Sequence, residues 1–112
     1  MLQRMRIALT AMTCALGASG AFAAIAPDQM ADQYGCMSCH GLVNKQVGPG
    51  FAQVAARYRG DTAAAAMLAA KIRKGSVGTW GRVIMPAQTK VTEADAQALA
   101  IWVLRQPAPA AR

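Results

Sequence analysis

The 112-residue chain has few of the patterns from which several large protein classes are built. Its longest apolar run, residues 7–18, has about a dozen positions, short of the roughly 20 that a membrane-spanning helix needs. Its basic residues form no run longer than Arg73-Lys74, which argues against nucleic-acid binding. No stretch alternates between apolar and polar residues for long enough to predict a sheet. These absences favour a small all-helical protein.

The beginning of the chain has the organisation of an export signal. A basic segment, residues 1–6, precedes the apolar run, and Ala21-Phe22-Ala23 then places small residues at the −3 and −1 positions of a signal-peptidase site. We expect cleavage after the last of these alanines and export to the periplasm. The alternative is an uncleaved anchor, which the short apolar run disfavours.

Cleavage at this point would leave one small domain, residues 24–112, ending in a frayed tail at 107–112 that has no packing pattern. Cys14 would leave with the signal, so the domain keeps two cysteines, Cys36 and Cys39. A domain of this size buries a modest core and often needs a cofactor or a disulfide as additional support.

The two remaining cysteines and the only histidine lie together in Cys36-Met37-Ser38-Cys39-His40. Thiols three positions apart lie on one helical turn, so both can bond to one edge of a flat ligand while the next imidazole lies over its face. This is the C-x-x-C-H spacing of covalent haem attachment. The motif predicts one haem c, bound through thioethers at Cys36 and Cys39, with His40 as an iron ligand.

Three other uses of a Cys-x-x-Cys pair fit this sequence less well. Zinc needs a second pair of ligands, and the domain has no second cysteine or histidine cluster. A thioredoxin-like dithiol needs a βαβ pattern, which is absent. A structural disulfide fits an exported protein, but it leaves the adjacent His40 unexplained and closes only a short loop.

Four segments have apolar residues at helical spacing and predict the helices of the fold. They run from about Pro27 to Cys39, from Gly50 to Arg59, from behind Asp61 to Lys74, and from Thr92 to near Gln106. Asp61 is expected to cap the third helix, and Thr92 with Asp95 approximates a capping box for the fourth. Gly75 is expected to end the third helix.

The loop between the third and fourth helices, residues 76–91, is expected to have no helix or strand of its own, and loops of this length are commonly functional. It contains Met85, which lies 45 residues beyond His40 and precedes a proline. We predict Met85 as the second iron ligand, with core packing as the alternative. Met37 lies inside the attachment motif, and Met30 and Met67 lie within helices, where flexible core packing is expected.

The order of these features resembles that of the class I cytochromes c, in particular the short bacterial monohaem type similar to cytochrome c-551. The resemblance covers about residues 27–106 and rests on Cys36 to His40, Val47-Gly48-Pro49, Gly75 through Trp80-Gly81 to Met85-Pro86, and Leu99 through Trp102-Val103-Leu104. It implies a small cytochrome c fold of about four helices wrapped around one covalently attached haem.

The resemblance also implies roles for individual residues. The carbonyl of Pro49 would accept a hydrogen bond from His40 and orient its ring. Trp80 would donate its indole N–H to a haem propionate, with a half-buried core role as the alternative. Gly35 and Trp102 would meet where the first and last helices cross.

The sequence departs from the family at one segment, Arg82-Val83-Ile84, where prolines are common. The loop is therefore expected to be less rigid than in other members. This departure leaves the redox potential open.

An iron with nitrogen and sulfur ligands on its two sides has no free position for a substrate, so we expect an electron carrier and not an enzyme. The alternatives are a five-coordinate haem protein that binds a gas or peroxide, and a dedicated electron-delivery subunit of a periplasmic oxidoreductase. Spectra of the oxidised protein would distinguish the first alternative, and copurification the second.

The charge of the domain favours redox partners with acidic surfaces. Without Arg4 and Arg6, ten basic residues face five acidic ones, a net charge of +5 that two propionates would reduce to about +3. The residues proposed for a basic rim that guides docking are Lys45, Arg73, Lys74, Arg82 and Lys90; an ordinary charged surface is the alternative for each. We expect a monomer.

Overall fold

The computed structural model describes residues 24–109 together with Gly17. It contains four α-helices, one 3₁₀ turn and one two-stranded sheet within this range. In chain order these are α1 (Pro27–Gln33), the 3₁₀ turn (Cys36–Ser38), α2 (Phe51–Arg57), α3 (Ala64–Lys74), β1 (Ser76–Gly78), β2 (Gly81–Met85) and α4 (Glu93–Leu104). The predicted four-helix fold is confirmed, whereas the predicted signal sequence lies outside the described residues apart from Gly17.

The first helix is shorter than predicted. It ends at Gln33, because Gly35 adopts a left-handed conformation (φ 76°, ψ 19°) that interrupts the helix before the cysteines. The prediction of one helix from Pro27 to Cys39 was wrong, as was the expected close approach at Gly35. An added Cβ at this glycine would have no non-neighbouring heavy atom of the described chain within 4 Å.

The starts of α3 and α4 differ in how well the sequence predicted them. The Asp61 carboxylate accepts a hydrogen bond from Ala63 N at 2.9 Å, so it stabilises a turn, and α3 starts only at Ala64. The hydroxyl of Thr92 accepts a hydrogen bond from Asp95 N at 3.1 Å, as predicted for the cap of α4. Gly75 ends α3 as predicted.

The loop between α3 and α4 contains a hairpin, so the prediction that it has no element of its own was wrong. Strands β1 and β2 pair antiparallel, with Ser76 opposite Met85 and Gly78 opposite Gly81. Both strands are short, and most of their residues are exposed. Because neither strand has one face in the core, the sequence lacks the alternation of apolar and polar residues that marks a strand.

The core lies between α4 and the other helices. Leu99 and Val103 of α4 are buried, together with Met30 of α1 and Phe51 and Val54 of α2. Each such side chain contributes about 1.5–3 kcal/mol through the apolar surface that it removes from water. Among the helices of the described residues, none is long and apolar enough to cross a membrane.

Candidate haem site

A cleft opens between the C-x-x-C-H segment, the hairpin and the core helices. The side chains that line it include Cys36, Cys39, His40, Trp80 and Met85. The structure therefore brings together the C-x-x-C-H segment and the loop that contains Trp80 and Met85, although the two are far apart along the chain.

The 3₁₀ turn presents the two thiols to this cleft. The amides of Cys39 and His40 both donate to the carbonyl of Cys36, at 3.2 and 3.0 Å, which closes the turn. Cys36 is half-buried and Cys39 exposed. Before haem attachment, burial raises the pKa of the Cys36 thiol.

The ring of His40 is held by three contacts. Its Nδ1 lies 2.7 Å from the carbonyl oxygen of Pro49, so the hydrogen bond that the resemblance implied is present. Since the proline carbonyl can only accept, Nδ1 carries the proton in the neutral ring, whose Nε2 then has a free lone pair. Phe51 stacks on the ring with the centroids 5.0 Å apart and the planes at 21°.

The third contact is with Gly48, the middle residue of the Val47-Gly48-Pro49 motif. A Cβ at this position would lie 2.7 Å from Cε1 of His40, closer than van der Waals contact allows. Glycine at this position therefore leaves room for the ring. The sequence could not predict this contact, because it depends on how the loop folds back over the histidine.

Met85 is the only methionine within the described residues that lines the cleft. It is half-buried at the end of β2. Met30 belongs to the core between α1 and α4, and Met37 packs partly buried against it. Met67 is half-buried on α3. Met85 thus differs from the other three methionines in its position, and its role as a ligand stays a prediction.

Trp80 lies in the turn between β1 and β2, next to two cations that were not predicted to belong to the site. The guanidinium of Arg57 lies over the Trp80 ring, 4.8 Å from its centroid. It also donates to the carbonyl of Thr79 at 2.8 Å, and the Nζ of Lys71 donates to the Thr79 hydroxyl at 2.8 Å. These contacts join residues of separate elements, and no motif connects them.

The remaining lining of the cleft is largely apolar and includes residues that are well exposed in the described chain. Val77, Val83 and Ile84 of the hairpin are 62%, 59% and 67% exposed. Exposed apolar side chains concentrated around a cleft indicate a surface that a ligand covers. Two thiols, an imidazole with a free nitrogen, a thioether and an apolar lining fit a haem.

Comparisons with known proteins identify the family of the chain. The cytochrome c family model matches residues 25–106. The chain is 52% identical over 79 residues to cytochrome c-552 of Hydrogenobacter thermophilus, covering 70% of this chain and 80% of that protein. It is 44% identical over 98 residues to cytochrome c-551 of Allochromatium vinosum, covering 88% of this chain and 98% of that protein.

A solved structure gives the same result for the fold. The crystal structure of wild-type cytochrome c552 from Nitrosomonas europaea superimposes with a TM-score of 0.69 at 42% sequence identity, covering 70% of this chain and 98% of that one. The resemblance stated from the sequence motifs is thus confirmed. The chain belongs to the cytochrome c family, as a class I monohaem cytochrome c similar to cytochrome c-551, with one covalently bound haem c at the segment that contains Cys36 and Cys39.

Proposed function

We propose that this protein is a periplasmic one-electron carrier whose haem iron is bound by His40 and Met85. The observation that carries the proposal is the lining of the cleft, which contains the attachment segment and Met85 together. The sequence similarity to cytochromes c-551 and c-552 supports the general role in electron transfer.

The haem supplies an iron that alternates between Fe(III) and Fe(II). His40 offers Nε2 as one ligand, and its hydrogen bond to Pro49 fixes the orientation of the ring. Met85 offers its sulfur as the other ligand. If both side chains bound the iron, no position would be left for a substrate, and the protein would act as a carrier and not as an enzyme.

The residues of the cleft also influence the potential of the proposed carrier. A thioether is a soft ligand that favours Fe(II), and apolar neighbours such as Val54 and Leu99 disfavour the additional positive charge of Fe(III). Both effects raise the potential. Trp80, next to Arg57, is proposed to donate its indole N–H to a propionate.

The partners are proposed to be redox proteins with acidic docking surfaces, bound by a monomer through a small and short-lived interface. The five cations proposed for the rim are all exposed: Lys45, Arg73, Lys74, Arg82 and Lys90. Arg57 and Lys71 are not included, because their side chains bind Thr79.

Residues 1–23 are proposed as the export signal, residues 24–112 as the mature domain, and residues 107–112 as its flexible tail. The mass of the protein purified from the periplasm tests the first two proposals together. It should equal that of residues 24–112 with one haem.

Replacing Met85 by alanine tests the proposed ligation. We expect Met85→Ala to keep its covalent haem, to have a much lower potential, and to bind exogenous ligands such as imidazole. The control is Met67→Ala, a methionine outside the cleft, which should keep the potential and the spectrum of the unmodified protein.

Two results would contradict the proposal. An unchanged potential and spectrum in Met85→Ala would show that another residue is the ligand. A high-spin spectrum of the unmodified oxidised protein would favour a five-coordinate haem protein instead. Stable copurification with a periplasmic oxidoreductase would identify the protein as a dedicated subunit and not a free carrier.

A further inference from the structure

The end of α3 lies directly against the segment that carries the proposed sulfur ligand. Gly75 caps this helix with φ 81° and ψ 171°. This region of backbone conformation is essentially restricted to glycine. The helix can therefore turn directly into β1 at this point only with glycine.

The segment after β2 passes over this glycine without room for a side chain. An ideal Cβ at Gly75 would lie 2.8 Å from the carbonyl oxygen of Met85 and 3.0 Å from the amide nitrogen of Ala87. Both atoms belong to the backbone, which cannot rotate away as a flexible side chain can. Any residue other than glycine would therefore displace the backbone at Met85.

Two further contacts hold the same segment, one with β1 and one with α3. Met85 pairs with Ser76, the residue after Gly75, in the hairpin ladder. The amide of Gln88 donates to the carbonyl of Ile72 in the last turn of α3, at 2.9 Å. The segment is thus fixed on both sides of the point where it passes Gly75.

We propose that Gly75 is a positioning residue for Met85, which allows the end of α3 to hold the methionine backbone at the cleft. This inference rests on the proposed ligation by Met85. A side chain at position 75 would move the sulfur away from its position and weaken its bond to iron, while His40 and the thioethers stay in place.

The test compares Gly75→Ala with Gly60→Ala. The two glycines have nearly the same φ, 81° and 80°, but an added Cβ at Gly60 would have no non-neighbouring heavy atom of the described chain within 4 Å. The measurement is the titration of each oxidised haem protein with imidazole, which must displace the methionine in order to bind. The apparent affinity for imidazole therefore reports the strength of the methionine–iron bond.

We expect the apparent affinity for imidazole to rise about tenfold or more in Gly75→Ala and to stay within about twofold in Gly60→Ala. The iron–sulfur charge-transfer band should weaken only in Gly75→Ala. Equal affinities in Gly75→Ala and the unmodified protein, with the band present, would overturn the inference and leave the proposed function intact. Absence of the band in the unmodified protein would overturn both.

A measurement on the unmodified protein gives an independent test if Gly75→Ala does not accumulate. Because coupling is reciprocal, displacing Met85 with imidazole should loosen the contacts that hold its segment. Amide exchange of Gln88 should then accelerate about tenfold or more, while that of Val103 in α4 should not change. Unchanged exchange of Gln88 would overturn the inference.

Discussion

Asp95 joins two helices that are far apart in the sequence. Its amide donates to the Thr92 hydroxyl at the start of α4, while its carboxylate accepts a hydrogen bond of 2.6 Å from the hydroxyl of Tyr34 at the end of α1. The sequence predicted the first bond, since a capping residue and its partner are three positions apart. The second joins residues 61 positions apart and follows only from the packing of α1 on α4.

This contact should make stability depend on pH in the alkaline range. The hydrogen bond to Asp95 is the main cause that raises the pKa of Tyr34 above its ordinary value, and desolvation and the negative charge of Asp95 add to it. Because the folded-state pKa is raised, the stabilisation is complete below the unfolded pKa of about 10 and is lost as the pH rises through the folded value.

We therefore expect Tyr34→Phe to be less stable than the unmodified protein at pH 7, and the difference to shrink as the pH rises above about 10. Thermal unfolding between pH 7 and 11 measures this difference. Tyr58→Phe is the control, because the hydroxyl of Tyr58 makes no hydrogen bond within residues 24–109. A difference for Tyr34→Phe that does not change with pH would contradict the account.

Single residues were predictable where the chemistry is local in sequence. Cys36, Cys39 and His40 are adjacent, so their spacing alone predicts a haem site, and family membership supports it. Gly48 was noted only within a motif, because its contact with the His40 ring exists only after the loop folds back. The roles of Met85 and Trp80 as haem contacts remain predictions.

At the scale of elements, the hairpin is held by the ends of two helices. Arg57 at the end of α2 contacts both residues of the turn between the strands, the carbonyl of Thr79 and the ring of Trp80. Lys71 of α3 binds the hydroxyl of Thr79. No residue of the two strands is buried, so these contacts help to fix the position of the hairpin.

We expect Arg57→Ala to lower the free energy of unfolding by about 1 kcal/mol, through loss of the cation–π contact and of the hydrogen bond to Thr79. Arg59→Ala removes the same charge two residues away, from a side chain that makes no hydrogen bond within the described range. It should change stability by less than about 0.5 kcal/mol. Denaturant titrations of both variants measure this difference. Equal losses of unfolding free energy would show that the removed charge, and not the contacts of Arg57, causes the effect.

The helices were predictable because their apolar faces repeat along the sequence, and Thr92 and Gly75 mark boundaries that the structure confirms. The hairpin was not predictable in the same way. Its strands bury little apolar surface and leave Val83 and Ile84 exposed, so no periodic pattern of apolar residues predicts them. The break in α1 at Gly35 was missed because a glycine within a helical pattern does not by itself show a positive φ.

At the scale of the whole molecule, the charge is unevenly distributed along the chain. Between residues 57 and 90 the sequence has seven basic residues and one acidic residue, whereas α1 and the start of α4 contain the other four acidic residues. The chain thus has a basic part that includes the hairpin and an acidic part that includes α1. Together with the net positive charge of the domain, the basic part favours approach to an acidic partner.

The rate of electron exchange with an acidic redox partner should therefore fall as ionic strength rises, because salt screens charges over about 10 Å at 0.1 M. Arg82→Gln should reduce this dependence more than Arg105→Gln, since Arg82 belongs to the hairpin and Arg105 follows α4. Stopped-flow kinetics at several salt concentrations measure both effects. A rate that does not depend on salt would contradict electrostatic steering.

The central claim is that one haem, attached at Cys36 and Cys39, has its iron bound by His40 and Met85. The near-infrared absorption spectrum of the oxidised protein tests it most directly. The account predicts a weak iron–sulfur charge-transfer band that is absent from Met85→Ala and present in Met67→Ala. A high-spin spectrum without this band in the unmodified protein would contradict it.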